Sequence, residues 1–167
     1  MSPSYLEDPA FLEEHDGPPL DRGGRAPSPE QIARMKALGV SASFLIAHVH
    51  YWGVAFRDRI VGPEKAALLD RARSCERAGV GFTLHSDFFV TDPDPLHMIQ
   101  MAVTRRTWAE PEFALAPEEA ISVESAIRAM THTAAWQLLS DHEIGSLEAG
   151  KFADAVILDE NPCTADP

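Results

Sequence analysis

The sequence predicts an α/β fold, because a strand, a helix and a second strand follow one another along the chain. The apolar residues 40–49 have the length of a strand that is buried on both faces, and a shorter apolar run follows at 80–84. Between them, Gly62-Pro63-Glu64 opens a helix that is expected to continue to Ala78 and to end at Gly79. This order predicts a βαβ unit with parallel strands and a right-handed crossover.

Further helices are predicted before and after this unit in the chain. Ser28-Pro29-Glu30-Gln31 is a capping-box arrangement, so a helix starts there and ends at Gly39. Another helix is expected over residues 96–107. A helix pair is expected over residues 122–139, with a break near Thr131-His132-Thr133, where three weak helix formers meet.

The two ends of the chain differ from the middle. Residues 1–27 are rich in proline and glycine and have no hydrophobic period, so they are expected to be irregular or disordered. In the tail, Gly145 and Gly150 are turn residues and residues 153–158 are apolar, which predicts a short β-hairpin. The expected organisation is an N-terminal segment, a main α/β part and a C-terminal return segment, at residues 1–27, 28–141 and 142–167.

Composition excludes several classes of protein. The net charge of −12 disfavours binding to nucleic acid or anionic lipid, since both need basic patches. No apolar stretch is long enough to span a membrane, and the first twenty residues lack the pattern of a secretory signal, so a cytoplasmic location is expected. Cys75 and Cys163 lie far apart and are expected to be free thiols.

The first candidate site residue is Asp87, in Leu84-His85-Ser86-Asp87 at the end of the second predicted strand. Active sites of α/β sheets and barrels form at this end, where loops converge on rigid strands. A carboxylate there can bind a divalent metal or accept a proton from water. The alternative interpretation is that Ser86-Asp87 only caps the next turn or helix.

A second candidate is the pair His48 and His50, at the end of the first predicted strand. Strand alternation would put both imidazoles on one face, close enough to bind one metal ion. A zinc site needs three or four ligands, and this pair supplies two. In the alternative interpretation, His50 stacks on Tyr51 or Trp52, or one of the two imidazoles belongs to the core.

The tail is more specific than these patterns. Residues 145–159 closely resemble the G-S-L-E-x-G-K-x-A-D-x-V-x-L-D segment that closes amidohydrolases. In that superfamily the segment returns from a metal-dependent barrel to a small β-sandwich that is made of both chain ends.

A second segment, residues 79–87, resembles the last barrel strand of amidohydrolase family 3. The likeness continues through Asp94-Pro95-Leu96, residues 102–106 and residues 131–135, so it covers roughly residues 28–167. It implies that Asp87 is the eighth-strand aspartate, which binds metal and activates water for attack on an amide or a related C–N bond.

The same resemblance assigns the histidine pair to the seventh strand. His48-x-His50 is then not the metal pair that the superfamily carries on its first strand. His48 and His85 are expected to contact substrate, and His50 is kept with Asp87 as a candidate metal ligand.

The resemblance implies a C-terminal fragment of a (β/α)8 TIM barrel, with its last two strands and helices, plus the hairpin of the sandwich. A complete barrel needs about 250 residues, and the other metal ligands of the superfamily have no counterpart upstream of Ser28. We therefore expect a truncated or split amidohydrolase that is inactive by itself. The complete enzyme would use a divalent metal, zinc, to hydrolyse non-peptide C–N bonds of small amides.

Two alternatives remain open at the level of sequence. The chain could be a non-catalytic α/β module that binds a partner chain through an exposed edge, such as a complementing N-terminal half or a second copy. It could also be a small metal-binding protein built on His48, His50, His85 and Asp87. Co-purification of a second polypeptide would favour the former, and stoichiometric zinc in the isolated chain would favour the latter.

Overall fold

Two short parallel strands lie at the centre of the computed structural model, which describes residues 27–165. Strand β1 (Ala42–Phe44) pairs with β2 (Phe82–Leu84) so that Ala42 lies opposite Phe82 and Phe44 opposite Leu84. Seven α-helices are described: α1 (Pro29–Leu38), α2 (Ala47–Ala55), α3 (Pro63–Ala66), α4 (Ala72–Ala78), α5 (Pro95–Thr104), α6 (Val123–Met130) and α7 (His132–Gln137). A π-helical turn (Phe56–Ile60) continues α2, and a 3-10 turn (Pro117–Glu119) precedes α6.

Helix α1 forms as the capping box predicts. The Ser28 side chain accepts from the backbone N–H of Gln31, and the Gln31 side chain accepts from that of Ser28 at 2.7 Å. Gly39 ends the helix with φ +68°, in the left-handed region that glycine adopts without a steric penalty. These interactions are local in sequence, so the boundaries of α1 follow from a few neighbouring residues.

The parallel βαβ arrangement is confirmed, but its helix is interrupted. Residues 67–70 form turns between α3 and α4, and Asp70 has φ +48°. The guanidinium group of Arg105 donates hydrogen bonds to the carbonyls of Leu69 and Asp70. The backbone N–H of Ser74 donates instead to the Glu119 carboxylate at 2.8 Å. Tertiary hydrogen bonds therefore replace the bonds that a continuous helix would make here.

The prediction of a first strand over residues 40–49 is wrong beyond Phe44. The chain turns after β1 and enters α2, so His48 and His50 lie on a helix and not at a strand end. Residues two apart on a helix point about 200° apart, and the expectation that the two imidazoles share one face is therefore wrong. A continuous apolar run does not distinguish a buried strand from a buried helix.

The predicted hairpin over residues 144–159 is also not formed. Within residues 27–165 this segment contains turns but no strand, and residues 153–158 pair with no other segment. Val156 and Ile157 are largely exposed. An extended segment is stabilised as a strand only when another strand satisfies its N–H and C=O groups, and the described part of the chain offers none beside this one.

The remaining helices position the end of β2. Helices α6 and α7 pack against β2, and the break between them falls at Thr131, as predicted. Helix α5 begins after Asp94, whose side chain accepts from the backbone N–H of His97. The most fully buried apolar side chains include Ile46, Val49, Ala66, Cys75 and Ala126.

Two further expectations concern the N-terminal segment and membrane-spanning helices. The prediction of disorder over residues 1–27 falls, except for Pro27, outside the described residues. No helix between residues 27 and 165 is long and apolar enough to cross a membrane.

Candidate active site

The candidate site lies at the carboxyl edge of the parallel sheet. His85, Ser86 and Asp87 follow β2 directly, and the backbone N–H of His85 donates to the carbonyl of Phe44 at 2.9 Å. That bond extends the pairing of β1 and β2 by one residue. The polar residues after β2 therefore start from a fixed edge, as the sequence predicts for a functional site of a parallel sheet.

Asp87 adopts an uncommon backbone conformation on this edge. Its φ is +49°, in the left-handed region that a residue other than glycine enters at an energetic cost, although aspartate tolerates it better than most. Its carbonyl accepts from the N–H of Val90 at 2.7 Å, which closes a turn. Strained conformations of this kind concentrate at functional sites.

The Asp87 side chain is exposed, and no described residue donates a hydrogen bond to its carboxylate. Helix α5 is capped by Asp94 instead, so the interpretation of Asp87 as the cap of the next helix does not hold. A second hydrogen bond stabilises the loop: the Thr91 hydroxyl donates to the carbonyl of the buried Ser86 at 2.7 Å. A carboxylate on such a turn can accept a proton or bind a cation.

The three histidines proposed for the site have different surroundings. His48 is buried, with its ring 5.3 Å from that of Trp52 and 6.1 Å from that of Phe56, centroid to centroid. His85 is half-buried at the sheet edge, next to Ser86. His50 is half-buried on α2 and packs edge to face on Tyr51 at 4.8 Å. The core and stacking alternatives therefore describe the contacts of His48 and His50.

The hydrogen bond of His50 determines which of its ring nitrogens is available. Nδ1 lies 2.9 Å from the carbonyl oxygen of Arg106, and a carbonyl can only accept, so Nδ1 carries the hydrogen. In the neutral ring, Nε2 then keeps its lone pair. A backbone carbonyl on one ring nitrogen is the usual way of orienting a histidine that binds metal through the other. The ring of His97 is 5.1 Å away.

The described residues do not fit a complete metal site. Between residues 27 and 165, no group of three or more His, Cys, Asp or Glu side chains is arranged to hold an ion. A catalytic zinc ion needs three protein ligands. The alternative in which His48, His50, His85 and Asp87 form a metal site of their own is therefore wrong for this structure.

An aromatic cavity lies beside the Asp87 turn, and sequence reasoning did not find it. Its walls are Tyr51 and Trp52 from α2, residues 89–92 from the loop after β2, and Trp108, and its volume is about 410 Å³. The backbone N–H of Trp108 donates to the carbonyl of His50 at 2.8 Å, and this hydrogen bond holds Trp108 next to α2. A signal was present in the sequence, because aromatic pairs follow both predicted strands closely.

Arg105, the residue after α5, is the centre of a buried charged network. The Arg105 guanidinium donates to the carbonyls of Leu115, Leu69 and Asp70 at 2.7, 2.8 and 3.1 Å. Burial lowers the pKa of Arg105, and the nearby Asp70 and Glu119 carboxylates oppose that shift. Burial raises the pKa of Glu119, but hydrogen bonds from Ser74 and Arg71 outweigh it and hold that pKa below its ordinary value. The network joins α4 to the segment before α6.

Comparison with known proteins adds a family to this geometry. Residues 13–167 match the model of the amidohydrolase family. Over 132 residues the chain is 32% identical to an N-substituted formamide deformylase from Arthrobacter pascens, covering 79% of this chain and 24% of that protein. Over 80 residues it is 45% identical to the protein LONG AFTER FAR-RED 3 of Arabidopsis thaliana, covering 47% of this chain and 13% of that one.

Solved structures agree with the fold. A metal-dependent hydrolase from Pyrococcus furiosus superposes with a TM-score of 0.68 at 26% identity, over 83% of this chain and 27% of that one. A second, from Pyrococcus horikoshii, superposes with a TM-score of 0.71 at 22% identity, over 84% and 28%, and shows the fold alone. The chain thus spans about a quarter or less of the length of the relatives that it matches.

Proposed function

Because the chain belongs to the amidohydrolase family, as its sequence predicts, we propose that it supplies Asp87 to a metal-dependent hydrolase that cleaves non-peptide C–N bonds. The observation that carries this proposal is the Asp87 turn. Its carboxylate is exposed at the carboxyl edge of a parallel sheet, on a left-handed residue, without a hydrogen bond from any described residue. A relative named for deformylating N-substituted formamides supports small amides as the substrate class.

The role proposed for Asp87 follows from the balance of the reaction. Hydrolysis adds the hydroxyl of one water to the carbonyl carbon and its proton to the departing nitrogen. A carboxylate near the water can accept that proton and deliver it to the nitrogen as the C–N bond breaks. The amine and the acid leave, and Asp87 returns to its ionised form.

The site needs groups from outside the described residues. The Pyrococcus furiosus neighbour of known structure is a metal-dependent hydrolase, which supports a divalent ion. We propose that this ion is zinc and that Asp87 and His50 are the ligands that this chain contributes. The remaining ligands would come from another segment or from a second chain. In the same arrangement β1 and β2 would be the last two strands of a (β/α)8 barrel, and the isolated chain would be inactive.

The two histidines proposed to contact substrate, His85 and His48, differ in their exposure. His85 lies at the sheet edge two residues before Asp87, where it would face a bound amide. His48 is buried behind Trp52 and would act on substrate by holding that ring.

The test compares two aspartate variants of the full chain, isolated from its own cells together with any companion polypeptide. Release of amine from a panel of small N-substituted amides is measured, with zinc content determined in parallel. Asp87→Asn is expected to lower the rate by about 10²–10⁴-fold, and Asp159→Asn, at an exposed aspartate, is expected to leave it unchanged. The proposal fails if Asp87→Asn hydrolyses the panel at the unaltered rate.

The claim that the site is incomplete has its own readout. The 167-residue chain, purified alone and dialysed against zinc, is expected to retain well below one ion per chain and to release no amine. One tightly held zinc ion per monomer, with amine release, would overturn that part of the proposal.

The second candidate function is a partner-binding module without catalysis, and one observation favours it. Residues 153–158 are apolar except for Asp154, and within residues 27–165 they pair with no strand, as an edge that accepts a strand from another chain would be. A companion polypeptide that remains bound to a chain without amidohydrolase activity would select this function.

A further inference from the structure

The aromatic cavity beside Asp87 has the size and lining of a small-molecule site. Its volume of about 410 Å³ lies within the range of ligand pockets, roughly 300–1,000 Å³. Cavities of about 150 Å³ already accept a benzene ring, so there is room for a ring and a short linker. Its lining is mainly aromatic: Tyr51, Trp52, Phe89 and Trp108.

The rings are arranged to accept another ring. Tyr51 lies 5.7 Å from Trp52 and 6.4 Å from Trp108, centroid to centroid, at interplanar angles of 65° and 60°. Rings tilted in this way can offer faces and edges to a bound ring, and aromatic pairs prefer such edge-to-face contacts. Trp108 and Phe89 are 69% and 89% exposed, so a ligand would remove a large apolar area from water.

The charge of the lining selects among aromatic ligands. Among the described lining residues, Asp92 brings the one carboxylate to the cavity wall, and the Thr91 hydroxyl donates to the Ser86 carbonyl. Within residues 27–165, no lysine, arginine or histidine lines the cavity. A ring that carries a carboxylate would meet Asp92 without a compensating cation, whereas a neutral ring would not.

Part of the cavity wall lies on the same turn as Asp87, the proposed base. Val90, a wall residue, donates its N–H to the Asp87 carbonyl at 2.7 Å. Phe89 lies two residues after Asp87, and Thr91 is fastened to Ser86. A substrate with its amide group over Asp87 would therefore have a substituent within reach of the cavity.

From these contacts we propose that the cavity formed by Tyr51, Trp52, Phe89 and Trp108 binds an uncharged aromatic ring on the substrate amide. This proposal rests on the proposed hydrolase function, because the bound ligand is a substrate only if the chain takes part in hydrolysis. The substrate class is then small N-aryl or N-arylalkyl amides, and small aliphatic amides are poor ligands.

The experiment measures binding without requiring hydrolysis. In the full chain with Trp136→Phe, Trp52 and Trp108 are the two remaining tryptophans. This variant is titrated with N-benzylacetamide. We expect a saturable change in tryptophan emission, with N-methylacetamide and benzoate binding at least tenfold more weakly. The absence of a saturable response to N-benzylacetamide, or equal affinity for the three probes, would overturn the proposal.

A matched pair of phenylalanine variants locates the site. In the same background, Phe89→Ala is expected to weaken N-benzylacetamide binding at least fivefold, and Phe152→Ala, an exposed phenylalanine of the tail, to leave it unchanged. Equal effects of the two variants would contradict a site in this cavity. Binding that depends on Phe89 in a chain whose hydrolysis does not depend on Asp87 would keep the aromatic site and reject the hydrolase.

Discussion

Strand β2 and residues 153–158 are both rich in apolar residues but lie in opposite environments. Phe82, Thr83 and Leu84 of β2 are buried, pair with β1 and lie under α6 and α7. In the tail segment, Val156 is 77% and Ile157 is 97% exposed, and no described residue pairs with the segment. The difference shows that a strand depends on its neighbours as much as on its own residues, because backbone pairing and side-chain burial both need a partner.

The first prediction concerns the buried charge of Arg105, which joins residues 69–70 to Leu115. Arg105→Ala would leave the carbonyls of Leu69, Asp70 and Leu115 without their donor and Asp70 without its nearby cation. Breaking a buried charged network in this way costs about 3–5 kcal/mol. Denaturant unfolding of the full chain should show a loss of that size in the free energy of unfolding.

The neighbouring Arg106→Ala is the control. Arg106 is exposed, and surface substitutions usually change stability by less than about 0.5 kcal/mol. Equal losses for the two arginine variants would mean that the buried hydrogen bonds of Arg105 do not hold the structure.

The second prediction uses Glu119, which joins the same part of the core to α4. Its carboxylate accepts from Ser74 and Arg71, and Glu119→Gln should cost about 1–3 kcal/mol near pH 7 because a charged acceptor is lost from a buried site. The pKa of Glu119 is lowered on folding from its ordinary 4.5, so the contribution is complete above about pH 4.5 and is lost as the pH falls through the lowered value.

Unfolding measured across pH 3–7 tests that sign. The gap in stability between the unaltered chain and Glu119→Gln should narrow below about pH 4.5. The exposed neighbour Glu118→Gln should show little difference at any pH. A gap that widens on acidification would contradict the assigned role of the carboxylate.

The elements that the sequence predicts correctly are those that depend on adjacent residues. Ser28 and Gln31 cap α1, and Gly39 ends it, through contacts within four residues. The sequence does not predict helix α2, because the residues after Phe44 are apolar without alternation, and that pattern suits a buried strand or a buried helix. The break at Asp70 depends on Arg105, which lies 35 residues away in the sequence.

The candidate site divides in the same way. Asp87 falls at the end of β2, where the strand pattern and the family resemblance both predict a functional carboxylate. The aromatic cavity could not be predicted, because Trp108 reaches Tyr51 and Trp52 only through the path of the chain after α5. Its local indications are the aromatic pairs Tyr51-Trp52 and Phe88-Phe89, which follow the two predicted strands.

The last prediction compares the same substitution in the buried core next to the sheet and in the exposed tail segment. Ile46 is fully buried after β1 and Ile157 is 97% exposed in the tail segment, so Ile→Ala removes the same atoms from opposite environments. Ile46→Ala should cost about 2–5 kcal/mol, because a cavity replaces buried methyl groups. Ile157→Ala should change stability by less than about 0.5 kcal/mol in the isolated chain, measured by denaturant unfolding. A loss of about 2 kcal/mol at Ile157 would mean that the side chain is covered, by residues outside 27–165 or by a second copy. The two cases separate by dilution, because only stability that depends on a second copy falls as the chain is diluted.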